Sequence, residues 1–271
     1  MNALTQFELS GKNVVLTGAI GILGKHFSCA LVDAGANLVI ADRDQQACEE
    51  FAASLQRKFP HREILPLSVD LTDENSVIQW RKSIFNHFKN IQVLINNAAT
   101  KSKNFFAPLE QFSLQDWKSV MQVNVTGVFL CAKEIGAKMA EQGSGSIINI
   151  SSIYGLLGPD QRIYEGSWYE EMGGPINTPL VYSASKGAVI AMTRYLAAYW
   201  GNKGVRTNTL TPGGVASGQN NEFSKKYSER VPLGRMAEPT ELIGALLFLA
   251  SDASSYVNGQ NLIVDGGFSA W

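Results

Sequence analysis

Tyr182 and Lys186 stand four residues apart. On a helix that spacing puts both side chains on one face, one turn apart. A free tyrosine titrates near pH ~10, too high for a base at neutrality. A neighbouring ammonium favours the phenolate and lowers that value, so the pair has the makings of a proton-transfer device. In such a setting Tyr182 protonates a developing alkoxide or, in reverse, takes the proton of an alcohol. Many amphipathic helices contain a Tyr and a Lys at this spacing. Here, however, the pair follows a strand-like segment ending in Ser151-Ser152 and, far upstream, a glycine-rich turn.

That turn is Thr17-Gly18-Ala19-Ile20-Gly21-Ile22-Leu23-Gly24. It follows an apolar strand-like run and opens a helical one. Glycines there permit a tight turn and let backbone N–H groups approach a pyrophosphate, with the helix dipole favouring its charge. A turn that packs a helix tightly on a strand would also use them. Asp42, about twenty residues on, ends the second strand-like run, where a carboxylate accepts both hydroxyls of an adenosine ribose. It would repel a 2′-phosphate, which favours NAD over NADP. Arg43 stands next to it and has the opposite preference, since a guanidinium pairs with phosphate. Asp70, with Leu71 beside it, closes the third strand; its carboxylate either meets an adenine edge or serves the turn, with Thr72 or Asp73 capping the next helix. Asn96-Asn97-Ala98-Ala99 closes the fourth strand with small side chains that allow a cofactor close.

The elements that position these groups alternate along the chain. Strand-like runs cover Asn13–Thr17, Asn37–Ala41, Ile64–Val69, Gln92–Asn96, Ser146–Ser151, Arg206–Leu210 and Asn261–Asp265. They are short, rich in Val, Ile and Leu, and mostly lack polar alternation, as strands covered on both faces do. Helical patterns fill the gaps, at Gln45–Phe59, Glu74–Phe88, Leu114–Ala140, Ser183–Trp200 and Pro239–Ala250. Repeated βα units imply right-handed crossovers and a Rossmann-type doubly wound α/β fold: a parallel sheet of about seven strands with helices on both faces. Ligands in such sheets sit beyond the carboxyl ends of the strands. The 271 residues fit one such domain, 1–271. Two stretches, 155–180 and 213–235, are long, irregular and rich in turn residues, as functional loops are.

Composition narrows the function classes. With 45% hydrophobic and 17% charged residues and a net charge of −1, the chain lacks the basic footprint of a nucleic-acid or anionic-lipid binder. Its longest apolar run, Leu242–Ala250, is too short to cross a bilayer. Three scattered cysteines, three scattered histidines and no recognisable secretion signal point to a cytoplasmic protein without a metal site.

Taken together, the motifs resemble those of the short-chain dehydrogenase/reductase family, compact single-domain branch, over nearly the whole chain. The matching residues are Thr17 to Gly24, Asn96-Asn97-Ala98-Ala99, Val123-Asn124-Val125, Asn149-Ile150-Ser151-Ser152, Tyr182 to Lys186, Thr211-Pro212-Gly213 and Val264-Asp265-Gly266-Gly267. The resemblance implies an oxidoreductase that interconverts a carbonyl and a secondary alcohol with NAD(P). It implies that Ser152 hydrogen-bonds the substrate oxygen and Tyr182 is the acid/base. Lys186 binds the nicotinamide ribose and tunes Tyr182, and Asn124 holds a water in a proton relay with Lys186. Gly18, Gly21, Ile22, Leu23, Gly24, Asp42, Arg43, Asp70, Leu71, Asn97, Ala98 and Ala99 then line the adenosine and phosphate end. Pro212, Gly213 and Val215 line the nicotinamide. A homotetramer or homodimer is also implied.

Two features depart from the family. The branch usually carries TGxxxGxG, whereas Gly21 and Gly24 here follow the spacing of a longer branch that modifies nucleotide sugars. The distance from Ser152 to Tyr182 also exceeds the usual gap by roughly fifteen residues, enough for a functional loop. That excess, within 155–180, holds Arg162, Tyr164, Glu165, Trp168, Tyr169, Glu170 and Glu171. Aromatic faces with carboxylates and an arginine suit a polar, sugar-like substrate, with Arg162 and Trp168 as candidate contacts. The segment bears a looser similarity to dehydrogenases of bacterial surface-glycan and flagellin-sugar modification. Alternatives are a 3-oxoacyl-thioester or small-ketone reductase and, in a different class, a nucleotide-sensing protein without catalysis.

Overall fold

A computed structural model describes residues 3–169 and 174–271. Its strands are β1 Asn13–Thr17, β2 Asn37–Asp42, β3 Ile64–Ser68, β4 Val93–Asn96, β5 Gly145–Ile150, β6 Trp168–Tyr169, β7 Gly174–Pro175, β8 Val205–Pro212 and β9 Asn261–Val264. Seven form one parallel sheet in the order β3-β2-β1-β4-β5-β8-β9, and β6 pairs antiparallel with β7. This is the doubly wound α/β architecture expected from the apolar runs.

Residue alternation divides the core into two layers. Val14 and Leu16 of β1 join Ile40, Ile95, Ile148 and Leu210 on one face. Val15, between them, joins Val39, Leu94 and Ile147 on the other. Helices α1 Ile22–Asp33, α2 Gln45–Lys58 and, later in the chain, α9 Ile243–Ala250 cover the first face. The second is covered by α3 Glu74–His87, by the helical stretch 114–142, and by Trp200 at the end of α7. Burying a Leu or Ile side chain of this kind contributes about 2 kcal/mol, so each layer is stabilised by many such terms. The edge strand β3 is only half buried and carries Pro66, a residue that cannot donate to a ladder and is tolerated at a sheet edge.

Caps fix where the helices start. Asp44 accepts from the Ala47 amide at α2, and Asp73 accepts from the Asn75 amide at α3. Pro239 opens a 3₁₀ turn, Pro239–Leu242, that leads into α9, with Glu238 and Glu241 forming a capping box. The stretch expected as one helix from Leu114 is interrupted: α4 Leu114–Met121, α5 Val128–Cys131 and α6 Ala137–Gln142 are joined by π turns at Gln122–Gly127 and Ala132–Gly136. The first π turn contains Asn124. Helix α7 spans Leu180–Trp200 and α8 spans Asn221–Ser228.

Strand order reverses between β1 and β4, which opens a crevice beyond their carboxyl ends. The two irregular stretches meet over it. Tyr164, in the 3₁₀ turn Gln161–Tyr164, stacks on Phe223 of α8 at 5.3 Å. Asn220 Nδ2 donates to the Trp168 carbonyl at 3.1 Å, and Lys226 Nζ donates to the Glu165 carbonyl at 2.6 Å. Asp160 pairs with Arg230 across the gap.

Candidate active site

The glycine turn builds the first wall of the crevice. Gly18 has φ of +65°, a left-handed conformation that favours glycine, and a Cβ there would stand 2.7 Å from Ala98 Cα. A Cβ on Gly24 would stand 2.1 Å from the Gly18 carbonyl oxygen. Gly21 caps α1 with no side-chain hydrogen bond, so the first amides of a twelve-residue helix stay available to an anion. The turn therefore fits a pyrophosphate, although its glycine spacing differs from the compact branch.

Thr17 fastens this turn to the end of β4. Its hydroxyl accepts from the Asn97 and Ala98 amides at 3.1 and 3.2 Å. The Asn97 side chain donates to the carbonyls of Thr17 and Gly18 at 3.1 and 3.0 Å. Asn97 thus lines the crevice while its amide is spent on holding the loop.

Asp42 does not cap α2; that role belongs to Asp44. One Asp42 oxygen accepts from the Arg43 amide at 2.7 Å, and both residues line the crevice. Asp70 accepts from the Thr72 amide and hydroxyl at 2.8 and 2.7 Å, bonds that hold its carboxyl below the usual range. Asp70 serves its own turn and still faces the same cleft, with Leu71 beside it.

The opposite wall holds the proton-transfer candidates. Ser152 follows β5, and α7 brings up Tyr182 and Lys186. Lys186 is buried, and its ammonium donates to the Ile150 carbonyl at 2.9 Å. It lies 5.8 Å from the centre of the Tyr182 ring. Burial pushes Lys186 down to about 8. Burial also raises the Tyr182 phenol above its ordinary value, opposed by a hydrogen bond with the Ser152 hydroxyl. The lowering by Lys186 expected from the spacing is not seen; desolvation sets the direction. The Asn124 side chain accepts from the Thr100 amide at 2.9 Å and donates to Ser185 Oγ at 3.2 Å. The π turn around it changes the backbone carbonyl pattern there.

Both walls enclose a cleft of about 700 Å³ that also reaches Pro212, Gly213 and Val215. Gly213 and Gly214 allow the chain to pass closely: a Cβ at Gly213 would meet Asp265 Cα at 2.8 Å, and one at Gly214 would meet the Tyr227 ring at 2.5 Å. Ile22, Leu23 and Ala99 complete the lining at the phosphate end.

The substrate end differs from expectation. Arg162 is 80% exposed at its side chain and pairs with Asp160. Trp168 is 55% exposed. Neither belongs to the cleft wall, because the 3₁₀ turn directs Tyr164 inward and leaves its neighbour Arg162 outside. Glu170 and Glu171 lie outside the described residues. The inward groups are Tyr154, Tyr164, Asn177, Thr178 and Tyr227, flanked by Phe105, Phe223 and Met236. Of these only Tyr164 was named among the sequence features. Tyr154, two residues after Ser152, was accessible from its position; Thr178 and Tyr227 depend on long-range packing. No group of described residues has the composition of a metal site. No helix among them is long and apolar enough to cross a membrane.

Comparison with known proteins agrees with this arrangement. The family profile described as enoyl-(acyl carrier protein) reductase matches residues 18–269. The chain is 33% identical to D-threitol dehydrogenase of Mycolicibacterium smegmatis, covering 97% of this chain and 95% of that protein. It is 34% identical to gluconate 5-dehydrogenase of Gluconobacter oxydans, covering 97% and 96%. It is 32% identical to galactitol 2-dehydrogenase of Cereibacter sphaeroides, covering all of both chains. Among solved structures, a gluconate 5-dehydrogenase from Burkholderia cenocepacia in complex with NADP and tartrate superposes with a TM-score of 0.85 at 33% identity, covering 100% of both chains. A short-chain dehydrogenase from Leptospira borgpetersenii with bound NAD+ gives 0.84 at 32%, covering 98% of this chain and 95% of that one. The three named sequence relatives are polyol and sugar-acid dehydrogenases. The chain belongs to the short-chain dehydrogenase/reductase family and is a dehydrogenase acting on CH–OH with NAD(P).

Proposed function

We propose that the protein interconverts a secondary hydroxyl and a ketone on a polyol or sugar acid, with NAD(H) and with Tyr182 as the proton-transfer group. The observation that carries this reading is the placement of Ser152, Tyr182 and Lys186 on one wall of a cleft whose far end is lined by hydroxyl groups. The dinucleotide, when bound, supplies the hydride acceptor. In the oxidative direction Ser152 holds the substrate hydroxyl, and the Tyr182 phenolate takes its proton as the carbon gives up hydride. In the reductive direction the Tyr182 phenol returns the proton to the oxygen. Lys186, buried beneath the ring, keeps a positive charge close to the phenolate and binds ribose hydroxyls.

Asp42 supports NAD(H) over NADP(H), since its carboxylate faces the adenosine end of the cleft. Relatives of known structure bind either dinucleotide, so Asp42 against Arg43 is the deciding local balance. The whole chain, residues 1–271, acts as one unit in this reading, and its scattered free cysteines suit the cytoplasm. It assembles as a homotetramer or homodimer: Tyr195 and Tyr199 of α7 stack at 5.6 Å while 65 and 57% exposed, and Phe129 of α5 is 52% exposed, large rings left at the surface.

The test is turnover of a panel containing threitol, arabinitol, galactitol and gluconate, followed by NADH fluorescence, with a 3-oxoacyl thioester assayed in the reverse direction. Oxidation of a polyol or sugar acid is the expected result. Activity confined to the thioester would transfer the protein to the reductase reading.

A further inference from the structure

The substrate end of the cleft contains a buried chain of three hydroxyls. Tyr164 Oη donates to Tyr154 Oη at 3.2 Å and bonds Thr178 Oγ1 at 2.5 Å. All three residues are at most 9% exposed, yet all three line the cleft. Their surroundings are apolar: Ile153, Ile163, Phe223, Met236 and Phe268 belong to the same cluster. Burying hydroxyls in such a shell is unfavourable unless they are paired. Three hydroxyls carry three protons, and two mutual bonds use two of them. Tyr164 gives its one proton to Tyr154, so Thr178 gives its proton to Tyr164; Tyr154 keeps a donor, and the chain keeps acceptor capacity. A patch with one donor and several acceptors matches a substrate hydroxyl, which both donates and accepts.

Tyr164 and Thr178 come from the stretch 155–180, which is longer than the family's usual connection. Tyr154 comes from the turn after Ser152. The extra length thus delivers polar groups to the same cleft as the reacting groups. Stacking on Phe223 fixes the Tyr164 ring without using its hydroxyl. Packing alone would be served equally by Phe. Tyr182 packs against the same cluster as Tyr164, and both line the cleft.

We propose that the Tyr154–Tyr164–Thr178 chain determines specificity: its free donor at Tyr154 and its acceptors recognise a hydroxyl of the substrate remote from the reacting carbon, and Tyr164 is the positioning residue that holds the chain together. The proposal rests on the polyol reading above and names the part of the polyol that is read. A site built to bond a hydroxyl rejects an analogue that lacks it, because its own buried polar groups are then left unpaired.

The experiment compares threitol with 2,3-butanediol, which keeps the two secondary hydroxyls and lacks the terminal ones. Tyr164→Phe keeps the stacked ring, and Thr178→Val removes the other anchor with little change in shape. For Tyr164→Phe the KM for threitol rises about tenfold, the scale of one hydrogen bond, while kcat stays within about twofold. The kinetics with 2,3-butanediol and the affinity for NADH remain as in the wild type, and Thr178→Val shifts selectivity in the same direction. Equal losses on both substrates, or no change on either, would overturn the proposal and leave a structural network. A wild type inert toward threitol and every other polyol in the panel would instead overturn the functional reading, and this proposal with it.

Discussion

Lys186 lies 5.8 Å from the Tyr182 ring centre while its ammonium is bonded to the Ile150 carbonyl at 2.9 Å. One turn of α7 and the end of β5 thus hold a buried cation beneath a phenol. Burial lowers Lys186 to about 8 from 10.5. An unfolded lysine keeps its proton to about 10.5, whereas the folded one releases it near 8. Between those values the unfolded chain binds more protons, so stability rises with pH. The charged lysine therefore costs stability below pH 8, and that cost is relieved as the pH climbs toward 10.5. The full relief is on the order of 3 kcal/mol. Lys186→Met has no such group. Urea unfolding from pH 7 to 10 should show the wild type gaining stability relative to this variant. A constant difference would mean that Lys186 has its ordinary pKa.

The proposed preference for NAD(H) rests on Asp42. Titration of the protein with NADH and NADPH should give tighter binding of NADH. Asp42→Ala should reduce that preference by about tenfold, the scale of a charge-assisted bond to a ribose hydroxyl. Equal or tighter binding of NADPH by the wild type would shift the assignment to Arg43.

Asp160 ties the two loops over the cleft, bonding Arg162 and Arg230 together. The hydrogen bond from Arg162 is the main cause holding its carboxyl at about 2, below the ordinary 3.8. A depressed acid contributes stability that is present above its unfolded value and lost as pH falls through its folded value. Asp160→Asn should therefore be less stable than the wild type at pH 7. That difference should persist to about pH 4 and vanish only as the pH falls below about 2. Thermal unfolding of both proteins at several pH values measures it. A difference that does not depend on pH would mean the clasp acts through packing alone.

Much of the fold was legible because a doubly wound sheet writes a local code. Runs such as Asn13–Thr17 and Asn37–Ala41 are apolar throughout and bounded by turn residues, and they form the strands where expected. The glycine turn was legible for the same reason, since Gly18 has a positive φ and Gly24 meets the Gly18 carbonyl within the turn itself. The substrate end was not. Arg162 and Trp168 are chemically suggestive, but a single 3₁₀ turn decides which side of the segment faces inward, and it selects Tyr164. Thr178 and Tyr227 enter the cleft through the packing of α8 on that turn, which has no short-range signature. The π turn around Asn124 was equally hidden, because its residues have an ordinary helical pattern.

The central claim is that Tyr182 transfers a proton while the NAD(P)-linked oxidation of a polyol or sugar acid takes place. Tyr182→Phe keeps the ring over Lys186 and removes only the hydroxyl, so the direct measurement is its turnover beside its dinucleotide affinity. Steady-state NADH fluorescence with the best substrate of the panel should show kcat reduced by at least ~10²-fold, the usual scale of acid–base catalysis. NADH binding should remain within about threefold of the wild type, since the phenol's reactive proton takes no part in holding the adenosine or the phosphates. Near-normal turnover by Tyr182→Phe would contradict the account.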